Sequence, residues 1–233
     1  MKTPTSTSRV VADRDPQGRR RFLRTSGMTL AAAGLFLAGC ADDDDPIMMN
    51  ETVNLGSGDI GILNYAYALE QLEAAFYAQV LQGDYYASAD NEEKDILADL
   101  EAHERAHVDF FRAALGSSAI PGLEVDFSSI DFNSRSSVLG TAQVFEDLGV
   151  SAYNGAGRLI MNPDYLVVAG KIVSVEARHA AAIRSINIGT PTAFANSDVV
   201  DSNGLDVART PSQVLSMAGS FILTPIDASG LPQ

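Results

Sequence analysis

The chain has 233 residues, a formal net charge of −14 at pH 7, a single cysteine and no tryptophan. An acidic chain of this kind repels nucleic acid and anionic membrane surfaces, which excludes nucleic acid as a partner of the folded domain. One cysteine cannot form a disulfide within the chain, and the length fits one domain of ordinary size behind a leader segment.

Residues 1–39 are predicted to be an export signal that is removed from the mature protein. A basic stretch with the pair Arg19-Arg20 precedes an apolar run over residues 28–38, which is too short to assign as a membrane span. The segment resembles a twin-arginine signal, which would export the protein already folded. Its removal would take away seven basic and two acidic residues and leave a net charge of −19.

Residues 37–40 have the sequence Leu-Ala-Gly-Cys, which resembles the lipobox of bacterial lipoproteins. Cys40 would then carry a lipid and anchor the protein to a membrane, in the periplasm or at the cell surface. The alternative is an ordinary small-residue cleavage site with an incidental cysteine. Residues 40–58, with four aspartates at 42–45, are predicted to form a solvated acidic tether.

The first two stretches with helical periodicity are predicted to form a hairpin. The first extends from about residue 59 to residue 82, with Asp59 as a candidate N-cap. The second begins near Ser88 or Asp90 and ends at Leu115, because Gly116 is typical of a helix C-terminus. Only a few residues separate the two stretches, and such short loops join antiparallel helices.

Two more periodic stretches are predicted to form a second hairpin, over about 136–159 and from Pro163 to about residue 186. Between the hairpins, residues 116–135 are rich in serine, glycine and aspartate, which indicates a long crossover. The sequence therefore predicts an all-α four-helix bundle over 59–186, built of two helical hairpins. The tail, 187–233, is predicted to be irregular with one short helix near Pro211, and to pack on the bundle through Phe194, Phe221 and Ile222.

Two glutamate-histidine pairs are the first sign of chemistry. Glu104 precedes His107 by three residues in the second helix, and Glu176 precedes His179 by three residues in the fourth. This spacing puts both side chains of a pair on one helix face, about 4.5 Å apart along the axis. One such pair arises often by chance, whereas two pairs on separate helices indicate a shared metal cluster.

The other two helices each carry a glutamate in apolar surroundings, Glu70 and Glu146, followed seven residues later by Tyr77 and Tyr153. Seven residues make almost two turns, so each tyrosine lies on the same face as its glutamate. A carboxylate in an apolar core is costly unless a cation compensates its charge, which predicts a bound metal. The tyrosines either support the ligand carboxylates or pass electrons, or are core residues whose hydroxyls found a partner.

Four neighbouring residues are predicted to lie outside the ligand set. Glu73 and Glu101 each lie three residues from a predicted ligand, and are expected to be exposed or to support the ligands from outside. His103 lies one turn before a ligand histidine and is expected to face solvent, with an extra-ligand or metal-entry role as the alternative. Asp147 points about 100° away from its neighbouring glutamate and is expected at the surface.

Together these features resemble the ferritin-like superfamily of four-helix-bundle di-iron and di-manganese carboxylate proteins. More narrowly, LEQLEAAFY at 69–77 and VEARH at 175–179 are similar to the exported branch of ferritin-like domain and desiccation-related proteins. The resemblance covers roughly 59–186 and implies a site for two metal ions. It implies two bridging, catalytically important glutamates, and one glutamate-histidine pair for each ion. The bridging residues are Glu104 and Glu176, and the pairs are Glu70 with His107 and Glu146 with His179.

Oxygen and imidazole ligands favour iron or manganese, with zinc as a redox-inert substitute. With iron, the expected chemistry is oxidation of two ferrous ions by dioxygen or peroxide; with manganese, it is disproportionation of peroxide. The expected role is then a ferroxidase-type, catalase-type or peroxidase-type oxidoreductase in stress defence outside the cytoplasm. The alternative is a structural or desiccation-protective module whose metal site is non-catalytic or empty.

A homo-oligomer is compatible with these expectations, but a closed iron-storage cage is not. The lipid expected on Cys40 and the tail after the fourth helix would both obstruct a closed shell.

Overall fold

Four long helices dominate the computed structural model, which describes residues 51–232. The predicted signal, Cys40 and the acidic stretch of the tether lie outside the described residues. The long helices are α1 (Gly58–Val80), α3 (Asn91–Leu115), α4 (Arg135–Gly157) and α5 (Pro163–Ile188), and the short ones are α2 (Asp84–Ser88) and α6 (Pro211–Ala218). Two 3₁₀ turns (Gly116–Ser118 and Ala193–Ala195) and two strands, β1 (Val53–Asn54) and β2 (Ile226–Asp227), complete the described elements.

The helices pair as two hairpins: α1 packs mainly against α3, and α4 against α5. Residues 116–134 cross from one hairpin to the other, and the all-α fold predicted from the sequence is confirmed. The connection between α1 and α3 differs from the simple loop expected, because it holds α2. None of the helices within 51–232 combines the length and apolarity that a membrane crossing requires.

Polar caps and glycines set the ends of the long helices. The Asp90 side chain accepts a hydrogen bond from the backbone N–H of Glu93 (2.9 Å) at the start of α3, and Asn162 caps α5 in the same way. Gly116 and Gly189 end α3 and α5 with φ values of 54° and 70°, which side chains other than glycine rarely adopt. These ends agree with the sequence signals to within about two residues.

Asp59 is not the N-cap of α1, because Ser57 occupies that position. The carboxylate of Asp59 instead accepts hydrogen bonds from the backbone N–H groups of Met161 and Asn162, both at 2.8 Å. One aspartate therefore ties the start of α1 to the turn between α4 and α5. Periodicity cannot reveal such a role, because the partner is about a hundred residues away in the chain.

The tail contacts the bundle through Phe221, whose ring meets Phe145 edge-on at 4.9 Å between centroids. Ile222 forms an isolated antiparallel bridge with Val125 of the crossover. The expectation for Phe194 is wrong, since this side chain is 56% exposed. At the other end of the described chain, β1 pairs in parallel with β2.

A buried arginine also holds the tail, and it corrects the placement of Asp147. Arg184 of α5 is 1% exposed, and its Nε donates to the carbonyl of Ala193 at 3.0 Å. Its guanidinium donates further to Asp147 of α4 and to Asn196 of the tail. Asp147 is therefore not a free surface group, because it pairs with a cation that α5 brings into the interior.

Candidate metal centre

The bundle interior brings together all six predicted ligand residues. Their donor atoms form two groups, and within each group all atoms lie within 4.8 Å of one another. Two glutamates belong to both groups, one from α3 and one from α5. The groups are Glu70, Glu104, His107 and Glu176, and Glu104, Glu146, Glu176 and His179.

The first group closes around the imidazole of His107. Its Nδ1 lies 3.0 Å from Glu70 Oε2 and 3.0 Å from Glu176 Oε1. Glu104 Oε2, one helical turn away on α3, lies at 3.4 Å. Three helices thus direct carboxylate oxygens toward one nitrogen.

The second group closes around His179 in the same way. Its Nδ1 lies 2.8 Å from Glu104 Oε1, 3.6 Å from Glu146 Oε2 and 3.8 Å from Glu176 Oε2. Since Glu104 and Glu176 approach both imidazoles with different oxygens, they are placed to bridge two ions. Glu70 and Glu146 each approach only one imidazole.

Many of these atoms have no hydrogen-bond partner among the described residues. Both carboxylate oxygens of Glu104 and Glu176, Oε2 of Glu146 and Nδ1 of His179 are buried without one. A buried polar atom left unsatisfied typically costs about 1–3 kcal/mol. Several such atoms facing one another would be strongly unfavourable, so the donor set fits a bound cation pair.

In the metal-free site, burial and neighbouring charges together set the pKa of each ligand residue. Burial lowers the pKa of His107, but Glu104, Glu176 and Glu70 outweigh it and raise this pKa to about 12. His179 follows the same pattern, and its pKa rises to about 10. Burial raises the pKa of Glu104, but the two histidines outweigh it and lower this pKa to about 2.

Glu70 and Glu146, which each belong to only one donor group, have raised pKa values, in contrast to Glu104. Burial, reinforced by the charge of Glu176, raises the pKa of Glu70 well above its ordinary value. Burial also raises the pKa of Glu146, although His179 partly opposes it. The metal-free site therefore retains extra protons that a metal pair would displace.

The two predicted tyrosines hold these glutamates crosswise. Tyr77 of α1 donates to Glu146 Oε1 of α4 at 2.5 Å, and Tyr153 of α4 donates to Glu70 of α1. The seven-residue spacing predicted only a shared face. The structure adds that each tyrosine serves the glutamate of the opposite helix, which locks α1 and α4 in register.

Two of the neighbouring residues lie at the edge of the centre. His103 is exposed, yet its Nδ1 lies 3.0 Å from the outer nitrogen, Nε2, of His179, with the two rings stacked. Glu101 is partly exposed and pairs with Arg105 on the same helix at 2.8 Å. Both lie on the solvent side of α3, as expected.

Glu73 belongs to neither donor group, as expected, but its side chain lies inside the bundle and is only 4% exposed, which excludes the exposed position that was one of the two expected. Its burial was missed because helical spacing from Glu70 allows both an inward and a peripheral position. The sequence carries no signal for this burial, because the room for the carboxylate is left by Gly149 of α4, which only the tertiary fold brings close. Tyr65 was also missed: it is 1% exposed, and burial raises its pKa above the ordinary value.

The fold and the centre together define a class of four-helix-bundle proteins built around a buried carboxylate-histidine site that fits two metal ions. The family model of the ferritin-like domain matches residues 58–188, more than half of the chain. The chain therefore belongs to the ferritin-like domain family, which confirms the resemblance at that level. A search of curated proteins finds no match to this sequence.

Proposed function

We propose that the protein binds two iron or manganese ions and uses them in oxidation by dioxygen or peroxide. The observation that carries this proposal is the set of buried carboxylate oxygens in the shared groups that have no hydrogen-bond partner among the described residues and face only the two imidazoles and one another. Oxygen and imidazole donors suit iron and manganese, and zinc would occupy the same ligands without redox chemistry.

The charges of the ligand set match two divalent ions. Glu104 and Glu176 would bridge the ions, Glu70 and His107 would complete one shell, and Glu146 and His179 the other. Four carboxylates with two neutral imidazoles carry four negative charges, which two divalent cations neutralise. When bound, two iron or manganese ions would supply electron transfer to dioxygen or peroxide.

The protein surroundings control what reaches the centre. Tyr77 and Tyr153 fix the orientation of the terminal glutamates, and both hydroxyls are protonated at neutral pH because burial raises their pKa. An apolar cavity of about 20 Å³ borders Tyr153 and is lined by Ile62, Tyr65, Leu69, Phe111 and Ile172. Its volume is that of one small molecule, so it could bind dioxygen transiently in apolar surroundings.

The proposed location is outside the cytoplasm, on a membrane. It is supported by the twin-arginine pattern at Arg19-Arg20 and by the lipobox ending in Cys40. Export in the folded state would let the cytoplasm select the metal. Mass spectrometry of the mature N-terminus tests the anchor, and an unmodified Cys40 would refute it.

A second candidate function is structural: the ions cross-link four helices in a stress-protective module without reacting. The complete burial of Glu70, Glu104, Glu146 and Glu176 favours it, because a closed site hinders the entry of substrates. The two candidates differ in reactivity and not in metal binding.

Elemental analysis of protein purified from its own host tests the proposal first, with two iron or manganese ions per chain as the expected result. Glu104→Ala and Glu176→Ala should each abolish binding of the pair and any reaction with peroxide or dioxygen. Glu101→Gln is the matched control, since Glu101 lies on the same helix as Glu104 but pairs with Arg105. Metal without reaction would favour the structural candidate, and protein purified without stoichiometric metal would refute dimetal function.

A further inference from the structure

The two ligand histidines differ in what the outer nitrogen of each ring, Nε2, meets. The Nε2 of His179 lies 3.0 Å from Nδ1 of His103, and the two rings are stacked with 8° between their planes. The Nε2 of His107 has no hydrogen-bond partner among residues 51–232, and the His107 side chain is 13% exposed. His103 itself belongs to neither donor group, so the six-ligand centre gives it no role.

The contact between His103 and His179 places a proton at a defined atom. The Nδ1 of His179 faces carboxylate oxygens of Glu104 and Glu176, so a metal ion would bind at this nitrogen. A neutral imidazole that binds metal through Nδ1 carries its proton on Nε2. The Nε2–H of His179 then donates to Nδ1 of His103, and the hydrogen bond selects one tautomer for each ring.

Such a partner strengthens a metal ligand, because it fixes the orientation of the ring and increases the basicity of the nitrogen that binds metal. His103 lies on α3 and His179 on α5, so the bond also joins the two helices that carry the bridging glutamates. Loss of a partner of this kind typically lowers metal affinity by about 10- to 100-fold. That range is wide enough to make two similar metal positions unequal.

We propose that His103 is a positioning residue for His179, and that it makes the ion held by Glu146 and His179 bind first and more tightly. This inference rests on the proposed function. The two shells contain the same donor types, one glutamate-histidine pair each and the shared bridging glutamates. They differ in the outer partner of the imidazole, and the side chain of His179, 4% exposed, is also better shielded from water than that of His107.

Stepwise binding of Zn²⁺ to the full chain tests the inference without turnover. The chain has only three histidines, so labelling with ¹⁵N-histidine allows each imidazole to be followed by NMR while Zn²⁺ is added. In the wild type, the first equivalent should shift the ring signals of His179, and the second those of His107. Competition with a chelator should give two dissociation constants that differ by about tenfold or more.

Two variants of His103 separate the hydrogen bond from the ring contact. His103→Phe keeps a ring that can stack on His179 but removes the acceptor. The tighter dissociation constant should weaken by roughly 10- to 100-fold, the weaker one should stay unchanged, and the order of filling should be lost. His103→Asn is the matched variant, because its amide oxygen can accept in place of Nδ1, and it should keep the order. The Nε2 proton of His179 should exchange slowly with water in the wild type and in His103→Asn, and quickly in His103→Phe.

Three results would each overturn the inference and leave the dimetal proposal standing. Simultaneous shifts of His107 and His179 in the wild type would mean that the two positions are equal. Equal weakening of both dissociation constants in His103→Phe, with a lower melting temperature of the metal-free protein, would assign a purely structural role. A signal of metal bound directly at Nδ1 of His103 would make this residue a ligand. A wild-type protein that binds no Zn²⁺ would overturn both proposals.

Discussion

The two candidate ligand histidines carry protons that a bound metal pair would have to expel. Their pKa values, about 12 for His107 and about 10 for His179, lie above the ordinary value, so both are protonated at pH 7 before metal binds. Metals bind neutral imidazole, so both histidines must lose a proton. The carboxyls of Glu70 and Glu146, whose pKa values are also raised, add to the number of protons that metal binding must release.

We therefore expect at least two protons to be released for each metal pair bound at pH 7. Calorimetric titration with Zn²⁺ in two buffers of different ionisation enthalpy measures this number directly. Apparent affinity should increase with pH by about a hundredfold per unit between pH 6 and 8. An affinity that is flat over this range would contradict the proton content inferred for the site.

The crosswise tyrosine bonds give a second prediction. Tyr77→Phe removes the donor to Glu146, and Tyr153→Phe the donor to Glu70, so each should destabilise the protein by about 1–3 kcal/mol. Metal stoichiometry should stay at two, because neither hydroxyl is a ligand, while affinity falls by about tenfold.

Tyr85→Phe is the matched control, because Tyr85 donates to Glu93 away from the centre. It should lower stability by a similar amount and leave metal affinity unchanged. Denaturant unfolding and metal titration of the three variants separate these effects. Loss of an ion in Tyr77→Phe would show instead that this hydroxyl is a ligand.

The contrast between Glu70 and Glu73 shows how far sequence reasoning reaches at this scale. Glu70 was predicted from its apolar neighbours and from the two Glu-x-x-His pairs, which leave a definite place for it in a known ligand pattern. Glu73 has the same helical spacing as an exposed residue would have. Its burial depends on Gly149, on a helix that only the tertiary fold brings close.

At the scale of elements, the long helices could be predicted because period, caps and terminal glycines agree for α3 and α5. What could not be predicted depends on distant partners. Asp59 has the residue type of an N-cap, yet the turn before α5 recruits its side chain. Phe194 has the hydrophobicity of a packing residue, yet the 3₁₀ turn around it leaves the ring exposed.

Two glycines of α4 give a test of how the tail docks. A Cβ atom at Gly155 would lie 1.7 Å from the backbone oxygen of Arg209, whose N–H donates to Ser151 at 3.0 Å. Gly155→Ala must therefore displace the tail and should cost about 1–3 kcal/mol or more, as overpacking does. No heavy atom lies within 4 Å of a Cβ atom at Gly140, so Gly140→Ala should stabilise α4 by about 0.5–1 kcal/mol.

Thermal unfolding of the two variants measures both values. Opposite signs are expected although the substitution and the helix are the same. Equal effects would mean that the tail does not hold its place on α4 in solution, and that the close approach at Gly155 is released at little cost.

Considered as a whole molecule, the protein surrounds the centre with contacts that come from outside the 58–188 bundle. Arg184 fastens the start of the tail to α4 through Asp147, Phe221 covers Phe145, and β2 pairs with β1 ahead of the bundle. The family match ends at residue 188, so these contacts are additions to the ferritin-like core. They hold the tail against the bundle, whose interior keeps mutually repelling carboxylates close together.

Because of that repulsion, we expect metal to be the main external determinant of stability. In the metal-free protein the histidines have raised pKa values, so their contribution is fully present below about pH 6.5 and is lost as pH rises toward 10–12. The raised pKa values of Glu70 and Glu146 also make the folded state less stable as pH rises above about 4.5, the ordinary pKa of glutamate. The lowered pKa of Glu104 stabilises the folded protein at neutral pH, and this stabilisation is lost only in acid, as pH falls toward 2.

The metal-free protein should therefore become less stable as pH rises from about 5 to 9, and bound metal should reverse this trend. At a free concentration 100 times the dissociation constant, an ion that binds only the folded state adds about 2.7 kcal/mol. For a chain of this size each kcal/mol raises the melting temperature by about 2–4 °C. Melting curves with Mn²⁺ or Zn²⁺ should thus rise by about 5–10 °C, and by more at pH 8 than at pH 6. Mg²⁺ should shift the melting temperature little, because it prefers all-oxygen octahedral sites. An equal shift with Mg²⁺ would mean that charge neutralisation alone, and not ligation by the two histidines, raises the melting temperature.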